Sequence, residues 1–320
     1  LDAKRKRLEQ ESKEEASRSK TLERELEWMR QTPEGRRKKS KARIAAYDQL
    51  LADAENESVR NAQIVIPAPP RLANQVVIAE NISKGFDDRL LIDGLSFKLP
   101  PGGIVGVIGP NGAGKTTLIS MLCGLIRPSS GDFTINGWSY RSEGEKIRKN
   151  MGVVPQEYAL YPSLTARENL VYFGSMYGLS GKELEVKIEE HLGHLGLLKY
   201  AGKKIETYSG GMKRRVNLIA GILHSPMVLF LDEPTVGVDI QSKNVIIDFL
   251  KAYNRGGTTL IYTSHHLSEA QEFCTRVAIM DHGRVLTEGT PEELIRNAAG
   301  TRSLEDVFLS LVGKELRDYA

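Results

Sequence analysis

The stretch that most constrains this chain runs Gly109, Pro110, Asn111, Gly112, Ala113, Gly114, Lys115, Thr116, Thr117. An apolar, β-branched run, Ile104–Ile108, precedes it, and a helical-looking run, Leu118–Cys123, follows. Strand, G-x-x-x-x-G-K-T, helix is the pattern of a phosphate-binding loop in the context that confirms it. Glycines let backbone N–H groups turn inward around phosphate oxygens, and the helix N-terminus adds its partial positive charge. In that arrangement Lys115 reaches the β- and γ-phosphates and the Thr116 hydroxyl holds Mg²⁺. The expected ligand is a nucleoside triphosphate.

A chain of 320 residues has room for one large domain or two, with extensions. Its 40% hydrophobic and 27% charged residues read as ordinary soluble globular protein. No apolar run approaches the ~20 residues of a membrane helix, and no signal peptide is recognisable. Charge from Lys4 onward argues against secretion of the chain. Cys123 and Cys274 are too few and too far apart for a metal site or a disulfide framework, so the expected compartment is reducing cytosol.

The net charge of +3 is unevenly spread. Residues 1–75 hold 17 Lys and Arg against 13 Asp and Glu, which leaves 27 against 28 for the rest. All the basic excess lies in the first quarter, which is expected to have its own partner. Residues 1–31 are rich in Lys, Glu, Arg, Gln and Ala, with Leu22, Leu26 and Met29 as a narrow apolar stripe. Thr32–Gly35 breaks the pattern, and a second polar helix is expected from about Ser40 to Asn61, with Ile44, Tyr47 and Leu51 on one face. Two thin stripes on either side of a turn predict an antiparallel hairpin arm, in which thirty helical residues would span about 45 Å. Near the turn, residues 36–43 carry six positive charges, a fit for RNA phosphates or simply a solvated helix start.

Glu25–Arg30, Gly35–Arg43 and Pro67–Leu72 resemble the interdomain linker of ABC-F translation factors, nearest to the energy-dependent translational throttle. The similarity continues through Asp88–Phe97 into the phosphate loop. In that family the linker joins two ATPase domains and reaches the ribosome. The resemblance implies that the chain starts within the linker, without the first ATPase domain.

From Val76 on, the chain resembles ABC ATPases, with six motifs in family order. Val76–Glu80 opens an alternating β segment that leads to Phe86, which resembles the ring that stacks on adenine; spacing alone also allows a core or turn phenylalanine. Gln156, at a strand end, resembles the Q-loop glutamine that touches Mg²⁺ or the attacking water. Leu160–Leu170 opens a mostly helical stretch, reaching about Leu198, whose surface in transporters receives a permease helix. Tyr208–Arg215 resembles the ABC signature, in which Ser209, Gly210 and Gly211 at a helix start address the γ-phosphate held by the opposite domain.

Met227–Leu231 is an apolar run of the kind a buried parallel strand shows, and it ends in Asp232 and Glu233. Asp232 would orient Mg²⁺ and Glu233 would polarise the attacking water. Val236–Asp239 matches the D-loop that crosses the dimer interface. Thr258–Ser264 is a further buried strand delivering His265, the γ-phosphate contact of the family; His266 is its rival. His191 and His194, three apart on a helix, are a weak metal pair without further ligands. Arg276–Glu288 reads as a hairpin, Thr290–Glu293 as a capped helix start, and Leu304, Val307, Phe308, Leu311 and Val312 as a last amphipathic stripe.

The resemblance implies an α/β P-loop ABC nucleotide-binding domain: an antiparallel β subdomain, a parallel-sheet core and a helical signature subdomain, preceded by the helical hairpin arm. The expected divisions are 1–62 arm, 63–75 Pro-rich linker, 76–302 ATPase domain and 303–320 C-terminal helix. The implied cofactors are ATP and Mg²⁺, and the implied partner is a second ABC ATPase domain, since one signature cannot complete its own site. From about Thr117 on, Gly152–Leu164, Tyr208–Arg215, Thr263–Ala270 and Ser303–Phe308 resemble ATP-binding subunits of bacterial drug, lipid or polysaccharide exporters. Met212, Val236–Asp239 and His266–Leu267 all depart from the ABC-F pattern of Ser-Gly-Gly-Glu, Asn-Asp-Leu-Asp and His-Asp-Arg. The expectation is an exporter ATPase on a membrane permease at the cytoplasmic face, carrying a foreign arm joined in or beside the phosphate loop. The alternative is a ribosome-associated translation-factor fragment contacting RNA through residues 36–43.

Overall fold

The computed structural model describes residues 75–86, 89–298 and 300–313. The arm expected over 1–62, and all but the last residue of the expected linker, lie outside them.

Two sheets are present among the described residues. The smaller is antiparallel, in the order β2-β1-β4-β5, from β1 (Val77–Phe86), β2 (Arg89–Leu99), β4 (Ser130–Ile135) and β5 (Trp138–Ser139). The larger follows the order β10-β9-β3-β8-β7-β6, from β3 (Ile104–Ile108), β6 (Met151–Val154), β7 (Val228–Asp232), β8 (Thr259–Ser264), β9 (Arg276–Asp281) and β10 (Arg284–Gly289). Its first five members from the β6 side are parallel, and only the hairpin strand β10 runs antiparallel. The hairpin read around His282-Gly283 is therefore β9–β10.

The runs read as continuous apolar strands have two buried faces. Val105 and Val107 of β3, Val228 and Phe230 of β7 and Ile261 of β8 face one core, shared with the antiparallel sheet and helix α1 (Lys115–Leu122). Their alternate neighbours Ile104, Ile108, Leu229, Leu231, Leu260 and Tyr262 face a second core on the other side. Side chains alternate along a strand, so a strand buried on both faces reads as a near-continuous apolar run.

The helices follow as α2 (Tyr140–Asn150), α3 (Ala166–Met176), α4 (Gly181–His194), α5 (Gly210–Ile222), α6 (Ile240–Arg255), α7 (Leu267–Phe273), α8 (Pro291–Asn297) and α9 (Leu304–Val312). Helix α3 starts at a Thr165/Glu168 capping box, and α8 at the Thr290/Glu293 box with proline in the first turn, as read. Ser303 and Asp306 cap α9 in the same way. Leu304 and Val307 are buried, and Phe308 and Val312 pack on the same core. Leu311 is the exception to the expected stripe: it stays 43% exposed, so the anchoring face is narrower than its sequence pattern. No helix among the described residues is long and apolar enough to cross a membrane.

Candidate functional site

Four parallel strands end side by side. Ile108 of β3 is in register with Ser264 of β8, Thr263 of β8 with Asp232 of β7, and Leu231 of β7 with Val154 of β6. The segments leaving these carboxyl ends start at neighbouring points: 109–117 after β3, His265 after β8, Glu233 after β7, and Gln156 two residues past β6. Open α/β sheets bind ligands at this edge.

The loop is built for close backbone approach. A Cβ on Gly109 would lie 2.3 Å from the Met280 carbonyl oxygen. Gly114 takes φ 100°, in the left-handed region, and stands as the N-cap of α1 without a side chain to cap it. The first N–H groups of α1 thus keep their positive end free of a capping side chain, ready for an anion. Lys115 is 6% exposed and its ammonium donates to the carbonyls of Gly109 at 2.9 Å and Pro110 at 3.0 Å. Burial pulls its pKa down, against the opposing pull of Glu233 and Asp232.

A chain of contacts runs beneath the loop. Thr116 Oγ1 donates to Asp232 Oδ1 at 3.4 Å, and the same oxygen accepts from Thr263 Oγ1 at 2.5 Å. The Thr263 hydroxyl in turn accepts the Glu233 backbone N–H at 3.1 Å. That bond helps hold Glu233 at φ 47°, a left-handed conformation that costs a non-glycine residue about 1–3 kcal/mol. The strain aims a nearly buried carboxylate, whose Oε1 lies 3.2 Å from His265 Nδ1. His265 is therefore the histidine beside Glu233. His266 serves as the N-cap residue of α7 and donates its backbone N–H to Ser264 Oγ at 2.9 Å. Burial, then His265 and Lys243, hold its imidazole pKa low.

The signature residues are placed differently. Ser209 caps α5, accepting the Met212 N–H at 3.3 Å, and both Ser209 and Gly210 are exposed. Gly211 is buried against α6, where a Cβ would meet Ser242 Oγ at 2.3 Å. No hydrogen bond of Ser209 or Gly210 reaches Lys115, Asp232 or Glu233. Phe86 ends β1 with 47% exposure and Lys84 Nζ 4.6 Å from its ring centre, which removes the core alternative. Gln156 is exposed.

Sequence reasoning missed the residues that fix the Gln156 segment. Arg214 and Asn217, both buried on α5, donate to the Pro155 carbonyl at 3.1 and 3.3 Å, and Asn217 accepts the Ala159 N–H at 3.2 Å. The Tyr158 hydroxyl donates to the Gly210 carbonyl at 3.3 Å, with the Arg214 guanidinium 4.8 Å from its ring centre. The available signal was two polar residues three apart on an otherwise apolar helix face. Thr263 was hidden inside an apolar run. His191 is buried against Phe249, and burial pushes its imidazole down to about 4. Among the described residues no three candidate metal ligands of the His, Cys, Asp and Glu type cluster.

The donor set suits a magnesium nucleotide. Thr116 and Asp232 offer adjacent oxygen donors of the kind Mg²⁺ selects, which ordinarily keeps waters and substrate phosphates as its remaining ligands. Lys115 and the bare α1 terminus suit phosphate, and Glu233 with His265 suits a water molecule in line with it.

The family model described as ABC transporter matches residues 92–236. The linearmycin resistance ATP-binding protein LnrL of Bacillus subtilis is 46% identical over 222 residues, covering 69% of this chain and 71% of that protein. The Nod factor export ATP-binding protein I of Burkholderia thailandensis is 38% identical, covering 71% of this chain and 74% of that protein. Among solved structures, an ATP-binding subunit of an ABC transporter superposes with a TM-score of 0.69 at 27% identity, covering 74% of this chain and 99% of that one. The dimeric post-hydrolysis state of the ATP-binding cassette MJ0796, bound to ADP and Pi, gives 0.62 at 26% identity, covering 67% and 98%. The chain belongs to the ABC transporter family, among its ATP-binding ATPases.

Proposed function

We propose that this chain binds Mg-ATP and hydrolyses it to ADP and phosphate while apposed to a second ABC ATPase domain, and that the work powers a membrane exporter. The observation that carries this is the connected series Thr116, Asp232, Thr263, Glu233, His265 beneath the phosphate loop.

In this reading Lys115 exchanges its two carbonyl acceptors for oxygens of the β- and γ-phosphates. Thr116 and Asp232, with Gln156 from the neighbouring strand end, hold Mg²⁺, which when bound neutralises phosphate charge. Glu233 accepts a hydrogen bond from the attacking water and receives its proton as the bond to the γ-phosphorus forms and the bridging P–O bond to the β-phosphate breaks. His265, held by Glu233, contacts the γ-phosphate. Phosphoryl transfer has a loose transition state, so positioning and charge supply most of the catalysis. Phe86 stacks on adenine, and Ser209, Gly210 and Gly211 act on the ATP held by the partner.

The dimeric cassette among the structural neighbours supports apposition of two domains, and the relatives named for Nod factor export and linearmycin resistance support an exporter. A surface for the permease is available on α3, where Tyr172 packs edge-on to Tyr161 and Phe173 beside the 68%-exposed Met176. The chain would then work at the cytoplasmic face of the membrane.

Glu233→Gln tests the catalytic core. We expect ATP turnover to fall at least ~100-fold while ATP binding persists and the chain elutes as an ATP-dependent dimer. Unchanged hydrolysis would remove Glu233 from its role. For the arm, the basic run 36–43 would supply the charge for contact with RNA phosphates. ATP-dependent co-sedimentation with ribosomes, lost on deletion of residues 1–60, would carry that second reading; pelleting without nucleotide that salt abolishes would reduce it to non-specific adhesion.

A further inference from the structure

Glu269 lies outside the series described above, on the first turn of α7, and its side chain is only 3% exposed. Its Oε1 accepts the Thr235 hydroxyl at 2.8 Å and also the Tyr262 hydroxyl. Lys243 Nζ stands 2.5 Å from Oε2 without the alignment of a hydrogen bond, so that oxygen is held by charge alone.

Two of these partners belong to segments that carry site residues, and the third to the helix that follows. Thr235 is two residues past Glu233, in a turn closed by the Val236 N–H on the Glu233 carbonyl at 3.2 Å. Tyr262 is three residues before His265 on β8, and its neighbour Thr263, on the opposite face of the strand, holds Asp232 and the Glu233 N–H. Lys243 is in the first turn of α6, directly after the segment 236–239, whose Asp239 caps that helix through the Ser242 N–H at 2.8 Å. A buried carboxylate is tolerated only when paired, and well-packed apolar groups often hold a fold as well or better. Two hydroxyl donors and one ammonium charge, from three elements, meet on one carboxylate and fix those elements relative to one another.

We propose that Glu269 is a positioning residue for ATP hydrolysis. It joins the turn that carries Glu233 to the strand that delivers His265, and through Lys243 it ties both to the segment 236–239. The inference rests on the catalytic reading of Glu233 given above. None of these hydrogen bonds or ion pairs reaches the loop 109–117, so loss of the cluster is expected to move the water-activating pair and leave the phosphate cradle in place.

The test is steady-state ATP hydrolysis by the purified full chain, with binding of a fluorescent ATP analogue and thermal unfolding measured on the same samples. Glu269→Gln is expected to lower kcat about 10-fold or more with KM for ATP and analogue affinity within about two-fold of wild type. Tyr262→Phe, which deletes a single hydroxyl, is expected to lower kcat about two- to five-fold in the same pattern and covers the case in which Glu269→Gln does not fold. Unchanged kcat in the folded variants, or kcat falling only in step with nucleotide affinity and unfolding temperature, overturns the proposal. Wild type and Glu233→Gln run alongside. Inactive wild type, or Glu233→Gln as active as wild type, sinks the catalytic reading and this inference with it. Normal controls with an unaffected Glu269→Gln sink the inference alone.

Discussion

Two regions expected to handle the same phosphates are built in opposite ways. Around the loop 109–117 the polar side chains reach one another: Thr116 meets Asp232, Asp232 meets Thr263, and Glu233 meets His265. Around 209–211 the contacts turn back into the helical part of the fold. Ser209 bonds to its own helix, Gly210 receives the Tyr158 hydroxyl, and Gly211 abuts Ser242. The first region has the contacts of a site assembled within one chain. The second has an exposed helix start whose in-chain bonds are those of capping and packing, which is the form expected of a surface that meets its ligand on another copy.

The comparison breaks most sharply at Lys115. Lys115→Ala removes the buried ammonium, and charged hydrogen bonds are worth about 1.5–3 kcal/mol each, so ATP affinity should fall roughly 100-fold. Equilibrium binding of a fluorescent ATP analogue reads this, and normal affinity would undo the phosphate-cradle reading. A smaller effect sharpens the packing side. Gly211→Ala places a methyl 2.3 Å from Ser242 Oγ, and overpacking of this kind costs about 1–3 kcal/mol, visible as a lower unfolding midpoint. Adding Ser242→Gly should recover most of the loss; a midpoint that stays low would mean that the α5–α6 contact is not its cause.

Much of this was legible because strand burial and helix capping write themselves into short sequence windows. The β3, β7 and β8 runs were readable because both faces of the sheet are covered, and the α8 start because a capping box needs its two residues three apart. What stayed hidden depends on direction rather than composition. In the sequence only the resemblance to the family pattern favours His265 over His266; the physical reason, where β8 ends relative to β7, is not in the pair itself. Thr263 reads as one more strand residue until its hydroxyl is seen between Asp232 and the Glu233 N–H. Arg214 and Asn217 find their partner, the Pro155 carbonyl, about sixty residues away, beyond the reach of any local pattern. Leu311 shows the reverse error: an apolar residue at helical spacing that stays exposed while Phe308 and Val312 of the same turn pack on the core.

The central claim is that the two regions complete each other only between copies, and mixing two inactive variants tests it most directly. Lys115→Ala disables the loop of one chain and Ser209→Arg blocks the signature of another. Each alone should lack ATP turnover. A mixed dimer contains one site with an intact loop facing an intact signature, so with random pairing an equimolar mixture should regain about a quarter of wild-type activity. Full activity of Ser209→Arg by itself, or a mixture as inert as its components, would contradict a site shared between two copies.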